Sequence, residues 1–201
     1  MPTRTRTSRK TKKTKTGKMR NVTLFAALSE KAIDRPLSRT LRDRAAALSF
    51  GDGKFAYAPE KPGEKPRFSS PAGAYFNVTH TGRLFLMALA DTEVGIDAQT
   101  APDKTRALAV ARRFFAPEEA AELAALPEEE RPLAFARLWT KKEAAAKYTG
   151  EGIFRAGALS APAPKLVFTD LLPRLPEKYR ASCAAAVLCT GQPVTLTVCL
   201  M

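Results

Sequence analysis

The segment 135–150, FARLWTKKEAAAKYTG, is the part of the chain that most restricts its possible folds. Its alanines favour an α-helix, and Gly150 is a typical helix stop. Trp139, Glu143 and Lys147 are spaced four residues apart, so they share one face of that helix. A carboxylate beside lysines on a partly apolar face can ligate a hard metal ion while an ammonium group meets phosphate. The alternative is a solvated helix with a Glu143–Lys147 ion pair worth about 0.3–0.5 kcal/mol.

The positive charge of the chain is concentrated at its N-terminus. Nine of the 33 lysines and arginines fall within residues 1–20, which contain no acid, so the rest carries only +4 of the formal net charge of +13. A segment so basic and so poor in apolar residues cannot fold alone, and we expect residues 1–20 to be a disordered tail. This tail either binds a polyanion or is a solvated extension. Because the folded part lacks a nucleic-acid-binding motif, we expect no nucleic acid beyond nonspecific contacts of the tail.

The composition excludes several further classes of protein. Cys183, Cys189 and Cys199 form no CxxC pair, which favours free thiols in a reducing compartment over a disulfide framework or a zinc site. No apolar run approaches the ~18 residues needed to cross a bilayer. No apolar stretch follows the basic N-terminus, as it would in a secretory signal. We therefore expect a cytoplasmic protein without membrane contacts.

Apolar periodicity and turn signals predict blocks of strands and helices. Strands are predicted at 21–28, 75–79, 83–90, 93–98, 165–168, 179–189 and 194–199. Helices are predicted at 37–50 and 104–115, and two more begin at 117 and 131. This order indicates an α+β fold with antiparallel hairpins, in which halves at 21–100 and 101–201 follow the basic tail.

Turn and capping residues give this prediction its details. Ser38 is the expected N-cap of the first helix and Gly51 its stop. His80, the only histidine, is expected in a turn after the second strand. Residues 91–92 and 191–193 are each expected to turn a hairpin.

Three motifs occur in order along the chain: FNVTHTG at 76–82, VGIDAQ at 94–99, and an RFFAPEE…RLWTKKEAAAK block that ends at Lys147. Their order and separations resemble those of the phosphopantetheinyl transferases, in particular the larger monomeric, Sfp-like class. The resemblance covers about residues 39–153. It implies a monomer with two similar α/β halves, antiparallel sheets related by a pseudo-two-fold axis, and an active site between them.

The resemblance also implies a reaction. Coenzyme A (CoA) would bind with Mg²⁺ on its pyrophosphate, and a serine hydroxyl of an apo acyl or peptidyl carrier protein would attack the pantetheine-side phosphorus. Phosphopantetheine would move to the serine, and adenosine 3′,5′-bisphosphate would leave. Such a transfer requires a metal ion, a few well-placed carboxylates and cations, which agrees with the residues of the motifs. A degenerate member that binds CoA or a carrier protein without transfer is the alternative.

By the same resemblance, Asp97, Glu143 and Lys147 are the catalytic residues. Asp97 and Glu143 match metal-ligand positions, Glu143 or a water it orients is the base for the serine proton, and Lys147 stabilises charge on the phosphates. Gln99 stands where much of the family has a further metal-binding acid. Since an amide binds Mg²⁺ more weakly than a carboxylate, we expect Gln99 to alter metal affinity or to shift the preference toward Mn²⁺. Lys142 is a candidate contact of the CoA phosphates.

The remaining candidate contacts of CoA come from the first motif and from two basic segments. His80 matches a histidine that contacts the nucleotide phosphates, and Thr79 offers a hydroxyl or backbone N–H to the pyrophosphate. Lys65 would reach the ribose phosphate, although its turn reads EKP where the family has GKP. Arg39 and Arg42 are further candidates for that phosphate.

Overall fold

The computed structural model describes residues 20–59, 64–150 and 166–201. The predicted tail, apart from Arg20, lies outside these residues. Within them the chain forms nine strands: β1 (Arg20–Leu28), β2 (Ala56–Tyr57), β3 (Phe68–Ser70), β4 (Tyr75–Thr81), β5 (Leu84–Ala90), β6 (Val94–Gln99), β7 (Val167–Asp170), β8 (Ala185–Thr190) and β9 (Val194–Leu200). The α-helices of this part are α1 (Arg35–Phe50), α2 (Lys104–Phe114), α3 (Pro117–Ala125), α4 (Arg131–Thr149) and α5 (Glu177–Arg180).

The first sheet has the strand order β4-β5-β1-β9, and its centre is buried on both faces. In strand β5, LFLMALA, Leu84 and Leu86 pack toward the second sheet, whereas Phe85 and Met87 pack toward helix α1. Alternate side chains of a strand point to opposite faces, so a continuous apolar run of this kind is typical of a strand between two layers.

The second sheet has the order β6-β8-β7, and both of its pairings are antiparallel. One face packs on the first sheet through Ile96 and Leu188. Helix α4 covers the other face through Ala144. Helices α2 and α3 pack on the first half of α4, where the rings of Phe115 and Phe135 stack with their centroids 5.2 Å apart. The main layers are therefore α1, the first sheet, the second sheet and α4.

Both predicted hairpins are wrong. Strand β5 pairs with β1 on one edge and with β4 on the other, so no edge is left for β6 after residues 91–92. Strand β6 instead pairs with β8 in the second sheet. After residues 191–193 the chain leaves that sheet, and β9 pairs in parallel with β1.

The α+β class and the largely antiparallel pairing are confirmed, with β1 and β9 as the parallel exception. The two sheets exchange strands across the predicted boundary near residue 100: β6 lies in the second sheet and β9 in the first. The pseudo-two-fold relation between the halves stays a prediction. None of the helices described here is long and apolar enough to cross a membrane.

Several local predictions also need correction. The N-cap of α1 is Asp34, whose Oδ1 accepts a hydrogen bond from the Leu37 backbone N–H at 2.9 Å, and not Ser38. The predicted stop is confirmed, since Gly51 has a φ of 90°. His80 lies within strand β4 opposite Phe85, not in a turn. The predicted strand 179–189 begins only at residue 185, because the preceding segment forms the short helix α5 and buries Tyr179.

Candidate active site

Strand β6 lies directly against helix α4, and Gly95 makes this approach possible. A Cβ atom on Gly95 would overlap the carbonyl oxygen of Ala144 and lie 2.5 Å from the backbone nitrogen of Tyr148. Any side chain at this position would therefore push α4 away from the strand. Gly95 therefore sets the separation between Asp97 on β6 and Lys147 on α4. No sequence pattern had indicated this role for the glycine of VGIDAQ.

Asp97 is a buried carboxylate surrounded by hydrogen-bond donors from three elements. Its side chain is 2% exposed, and the Nζ of Lys147 donates to its Oδ1 at 2.7 Å. The Thr79 hydroxyl on β4 donates to the same oxygen at 3.0 Å, and the Gln99 amide donates to Oδ2 at 3.4 Å. A buried charge needs such partners, because an unpaired one is strongly disfavoured. Four of the predicted site residues thus meet here.

A second carboxyl, that of Glu143, lies beside this cluster and has an unusual affinity for its proton. Its pKa is raised to about 7, first by burial and then by the negative charge of Asp97 and a hydrogen bond to that residue. The positive charge of Lys147 and a hydrogen bond with Trp139 lower the same pKa. Glu143 is therefore close to half-ionised near neutral pH. A general base is most effective when its pKa lies near the operating pH.

Trp139 both packs in an aromatic cluster and makes a polar contact with Glu143. Its ring stacks on that of Phe135, with centroids 5.5 Å apart, and meets Phe115 at 6.0 Å. Its hydrogen bond with Glu143 adds a polar contact, and an indole N–H can only donate. The aromatic cluster between α2 and α4 thereby orients the Glu143 carboxyl.

The donor set fits one hard cation that also binds substrate oxygens. No group of three or more His, Cys, Asp and Glu side chains comes together within residues 20–59, 64–150 and 166–201. Asp97 and Glu143 supply two carboxyls in hydrogen-bond contact, and the Gln99 amide lies beside Asp97. Mg²⁺ is commonly bound by one or two carboxylates together with water and substrate phosphates. A divalent cation here would offset the repulsion between the two carboxylates.

The carboxyl and ammonium groups of α4 open onto a cavity large enough for a small-molecule ligand. The cavity has a volume of about 420 Å³, and its lining includes Glu143, Lys147, Lys65 and Asn77. The Asn77 side chain accepts a hydrogen bond from the Ile96 backbone N–H at 3.2 Å, which ties β4 to β6 beside the cluster. A second cavity, of about 620 Å³, shares Lys65 and its neighbours as lining.

Other predicted contacts lie outside the lining of these two cavities of the described chain. Lys142 pairs with Glu119 on α3 at 2.8 Å, and its Nζ lies 5.4 Å from the ring centroid of Phe115. The guanidinium of Arg42 lies 3.9 Å from the ring centroid of Tyr57. Two further candidates, Arg39 on α1 and His80 on β4, are exposed. The predicted phosphate contacts of these residues stay predictions.

Comparison with known proteins gives a consistent set of relatives. A model of the 4′-phosphopantetheinyl transferase superfamily matches residues 93–166, which include Asp97, Glu143 and Lys147. The chain is 35% identical over 167 residues to the 4′-phosphopantetheinyl transferase HetI of Nostoc sp., an alignment that covers 78% of this chain and 69% of HetI. It is 29% identical over 134 residues to the 4′-phosphopantetheinyl transferase AcpT of Salmonella typhimurium, with 66% of each chain covered.

Shorter alignments show similarity to proteins from two further organisms. It is 34% identical over 89 residues to the 4′-phosphopantetheinyl transferase Sfp of Bacillus subtilis, covering 44% of this chain and 39% of Sfp. A relative from Synechocystis sp. is 40% identical over 113 residues, which are 55% of this chain and 44% of that protein. The matched part thus spans less than half of these two relatives.

Proposed function

The chain belongs to the 4′-phosphopantetheinyl transferase superfamily, and from this we propose that it transfers the phosphopantetheine group of CoA to a serine of an apo acyl or peptidyl carrier protein. The observation that carries this proposal is the cluster of Asp97, Glu143 and Lys147 beside a cavity. Two carboxyls and an ammonium group at one point are what a metal-assisted transfer at a pyrophosphate requires.

Glu143 acts as the general base in the proposed reaction. Its carboxylate accepts the proton of the serine hydroxyl. The serine oxygen forms a bond to the pantetheine-side phosphorus, and the anhydride bond to adenosine 3′,5′-bisphosphate breaks. Lys147 stabilises the charge that develops on the phosphate oxygens.

Asp97 and Glu143 would hold Mg²⁺ or Mn²⁺, and a bound divalent cation would neutralise charge on the pyrophosphate. Thr79 and Gln99 keep the Asp97 carboxylate oriented toward α4 through their hydrogen bonds. Gln99 therefore acts on Asp97 through its N–H donor, and its amide oxygen is the atom with which it could approach a cation.

The finer architecture is part of the same proposal. A pseudo-two-fold relation between the halves 21–100 and 101–201 is supported by the outer layers, since α1 covers the first sheet and α4 the second. A monomeric enzyme belongs to the same proposal, and it rests on the resemblance to the larger monomeric class of the family. A cytoplasmic location is supported by Cys183, Cys189 and Cys199, which are free thiols.

Product analysis tests the reaction. The protein, CoA and MgCl₂ are incubated with an apo acyl carrier protein, and adenosine 3′,5′-bisphosphate is quantified by chromatography. We expect one equivalent per carrier protein, and none with a carrier whose acceptor serine is replaced by alanine or with EDTA present. Bisphosphate release that does not depend on the carrier serine would contradict the proposal. CoA binding without release would favour the degenerate, binding-only alternative.

A further inference from the structure

Lys65 is held by two acceptors at the beginning of strand β6. Its Nζ lies 2.6 Å from Oε2 of Glu93 and 2.7 Å from the backbone oxygen of Val94. The Lys65 side chain is 18% exposed and the Glu93 side chain 47% exposed, so the ion pair is partly shielded from water. Val94 is the first residue of β6, the strand that carries Asp97, and Glu93 immediately precedes it.

This pair anchors a segment that forms the wall of both cavities. Glu64, Lys65 and Pro66 line each of them. A Cβ atom on Gly150, at the end of α4, would lie 3.9 Å from the Cβ of Lys65, so the stem of the lysine lies close to the end of that helix. The wall is therefore attached to the beginning of β6 by the ammonium group, and it lies beside the end of α4.

We propose that Glu93 is a positioning residue that, together with Lys65, clamps residues 64–67 as the wall of the CoA pocket. In this proposal Lys65 shapes the pocket. The sequence resemblance implies a different role for it, namely a contact with the 3′-phosphate of CoA. This inference rests on the proposed function, since it concerns how the same site holds CoA.

The electrostatics of the pair favour the clamp over a phosphate contact. A phosphate that approached Lys65 would also meet the carboxylate of Glu93, and like charges at such distances repel. Two of the three N–H donors of the Lys65 ammonium group are already engaged, one of them in a charged hydrogen bond, which leaves one donor for a phosphate. The pair as a whole is neutral, so it adds little net attraction for an anion.

Binding of CoA and of dephospho-CoA, which lacks the 3′-phosphate, separates the two roles. Dissociation constants of both are measured by calorimetry for the wild type, Lys65→Met and Glu93→Gln. Loss of a clamp should weaken both ligands by the same factor, about fivefold for a partly buried ion pair, and leave the ratio of the two constants unchanged. The double variant should be no worse than Lys65→Met, because that change already removes the ion pair with Glu93.

Two matched variants control the experiment. Lys178→Met removes the same charge from an exposed residue of α5 and should leave both constants unchanged. Lys65→Arg can still donate to both acceptors and should bind both ligands like the wild type. If Lys65→Met fails to fold, Glu93→Gln tests the clamp, because it removes the ion pair and leaves Lys65 in place.

Other outcomes would contradict the clamp, the proposed function or both. A Lys65→Met variant that loses affinity for CoA alone would show that this lysine reads the 3′-phosphate. A Glu93→Gln variant that binds CoA more tightly would show that Glu93 only repels that phosphate. Unchanged dissociation constants in both Lys65→Met and Glu93→Gln would show that neither residue contributes to binding. A wild type that binds neither ligand would overturn the proposed function and this inference with it. Binding with the predicted pattern but no transfer would contradict the proposed function alone.

Discussion

The ammonium group of Lys147 lies 2.7 Å from Oδ1 of Asp97, a carboxylate that is almost completely buried. The two residues are 50 positions apart in the chain, and the contact joins helix α4 to strand β6. The ion pair therefore has two roles in our account: it stabilises the packing of α4 on the second sheet, and it sets the position of a charge needed for transfer.

Replacing Lys147 by methionine should reveal the structural role. The variant leaves the buried Asp97 carboxylate with weaker partners, which should cost about 1–3 kcal/mol of the free energy of unfolding. Denaturant titration checks this value. Lys147→Met/Asp97→Asn is the matched control, because it removes both charges and should recover part of the loss. A double variant with the summed cost of the two single variants would contradict a direct interaction.

Glu143→Gln should stabilise the protein while it removes activity. The pKa of this carboxyl is raised from an ordinary value of 4.5, which applies to the unfolded chain, to about 7 in the folded protein. The folded state therefore holds the proton more tightly, and the contribution of Glu143 to stability falls as the pH rises from about 4.5 to about 7. The variant should gain in melting temperature over the wild type across that window and keep the gain above it.

Melting curves between about pH 4.5 and about pH 8 give the difference between the two proteins. Transfer by Glu143→Gln should fall by about 10²–10⁴-fold, since an amide cannot accept the serine proton. A variant that melts below the wild type at the alkaline end of this range would show that the ionised carboxylate is stabilised, in conflict with its burial beside Asp97.

Gln99→Glu should make stability depend on the metal ion. The change adds a third carboxylate next to Asp97 and Glu143, so without a cation the melting temperature should fall through like-charge repulsion. Added Mg²⁺ should raise it more than in the wild type, because a ligand that binds only the folded state stabilises it. Melting curves with EDTA and with MgCl₂ check both effects. Gln99→Met, which adds no charge, should respond to Mg²⁺ no more than the wild type, and an equal response of all three proteins would place this position away from the cation.

Gly95→Ala should disturb the site without touching any polar group. The new methyl group meets the backbone of α4, which cannot yield as a side chain can, so we expect a loss of about 1–3 kcal/mol in unfolding free energy and a large loss of transfer. Gly191→Ala is the matched control, since its methyl group would meet only the end of the Tyr148 side chain. Denaturant titration of both variants gives the comparison. A smaller loss in Gly95→Ala than in Gly191→Ala would contradict the close approach of β6 and α4.

Sequence patterns predict features that depend on residues near one another in the chain, and they miss those that depend on distant residues. Helical spacing alone places Glu143 and Lys147 on one face of a helix, which the structure confirms. The predicted hairpin after β5 is wrong because residues 91–92 carry a turn signal, whereas the pairing of β5 on both edges depends on β1, far away in the chain. A local turn signal cannot show that β1 and β4 already occupy both edges of β5.

The contacts between distant residues show the same limit. That Asp97 belongs with Lys147 follows from the resemblance of the motifs and not from any spacing. The contact between Lys65 and Glu93 joins residues 28 positions apart, and no motif links them. The hydrogen bond of Trp139 with Glu143 is a different case, since the i,i+4 spacing places the two side chains on one face of the helix.

The central claim is that this chain moves phosphopantetheine to a carrier serine with Glu143 as the base. The most direct test is the intact mass of an apo acyl carrier protein after incubation with CoA, MgCl₂ and either the wild type or Glu143→Gln. Our account predicts a gain of one phosphopantetheine with the wild type and none, over the same time, with the folded variant. An unchanged carrier mass with the wild type, using several acyl and peptidyl carriers and either Mg²⁺ or Mn²⁺, would contradict the claim, and equal gains with both proteins would contradict the role of Glu143.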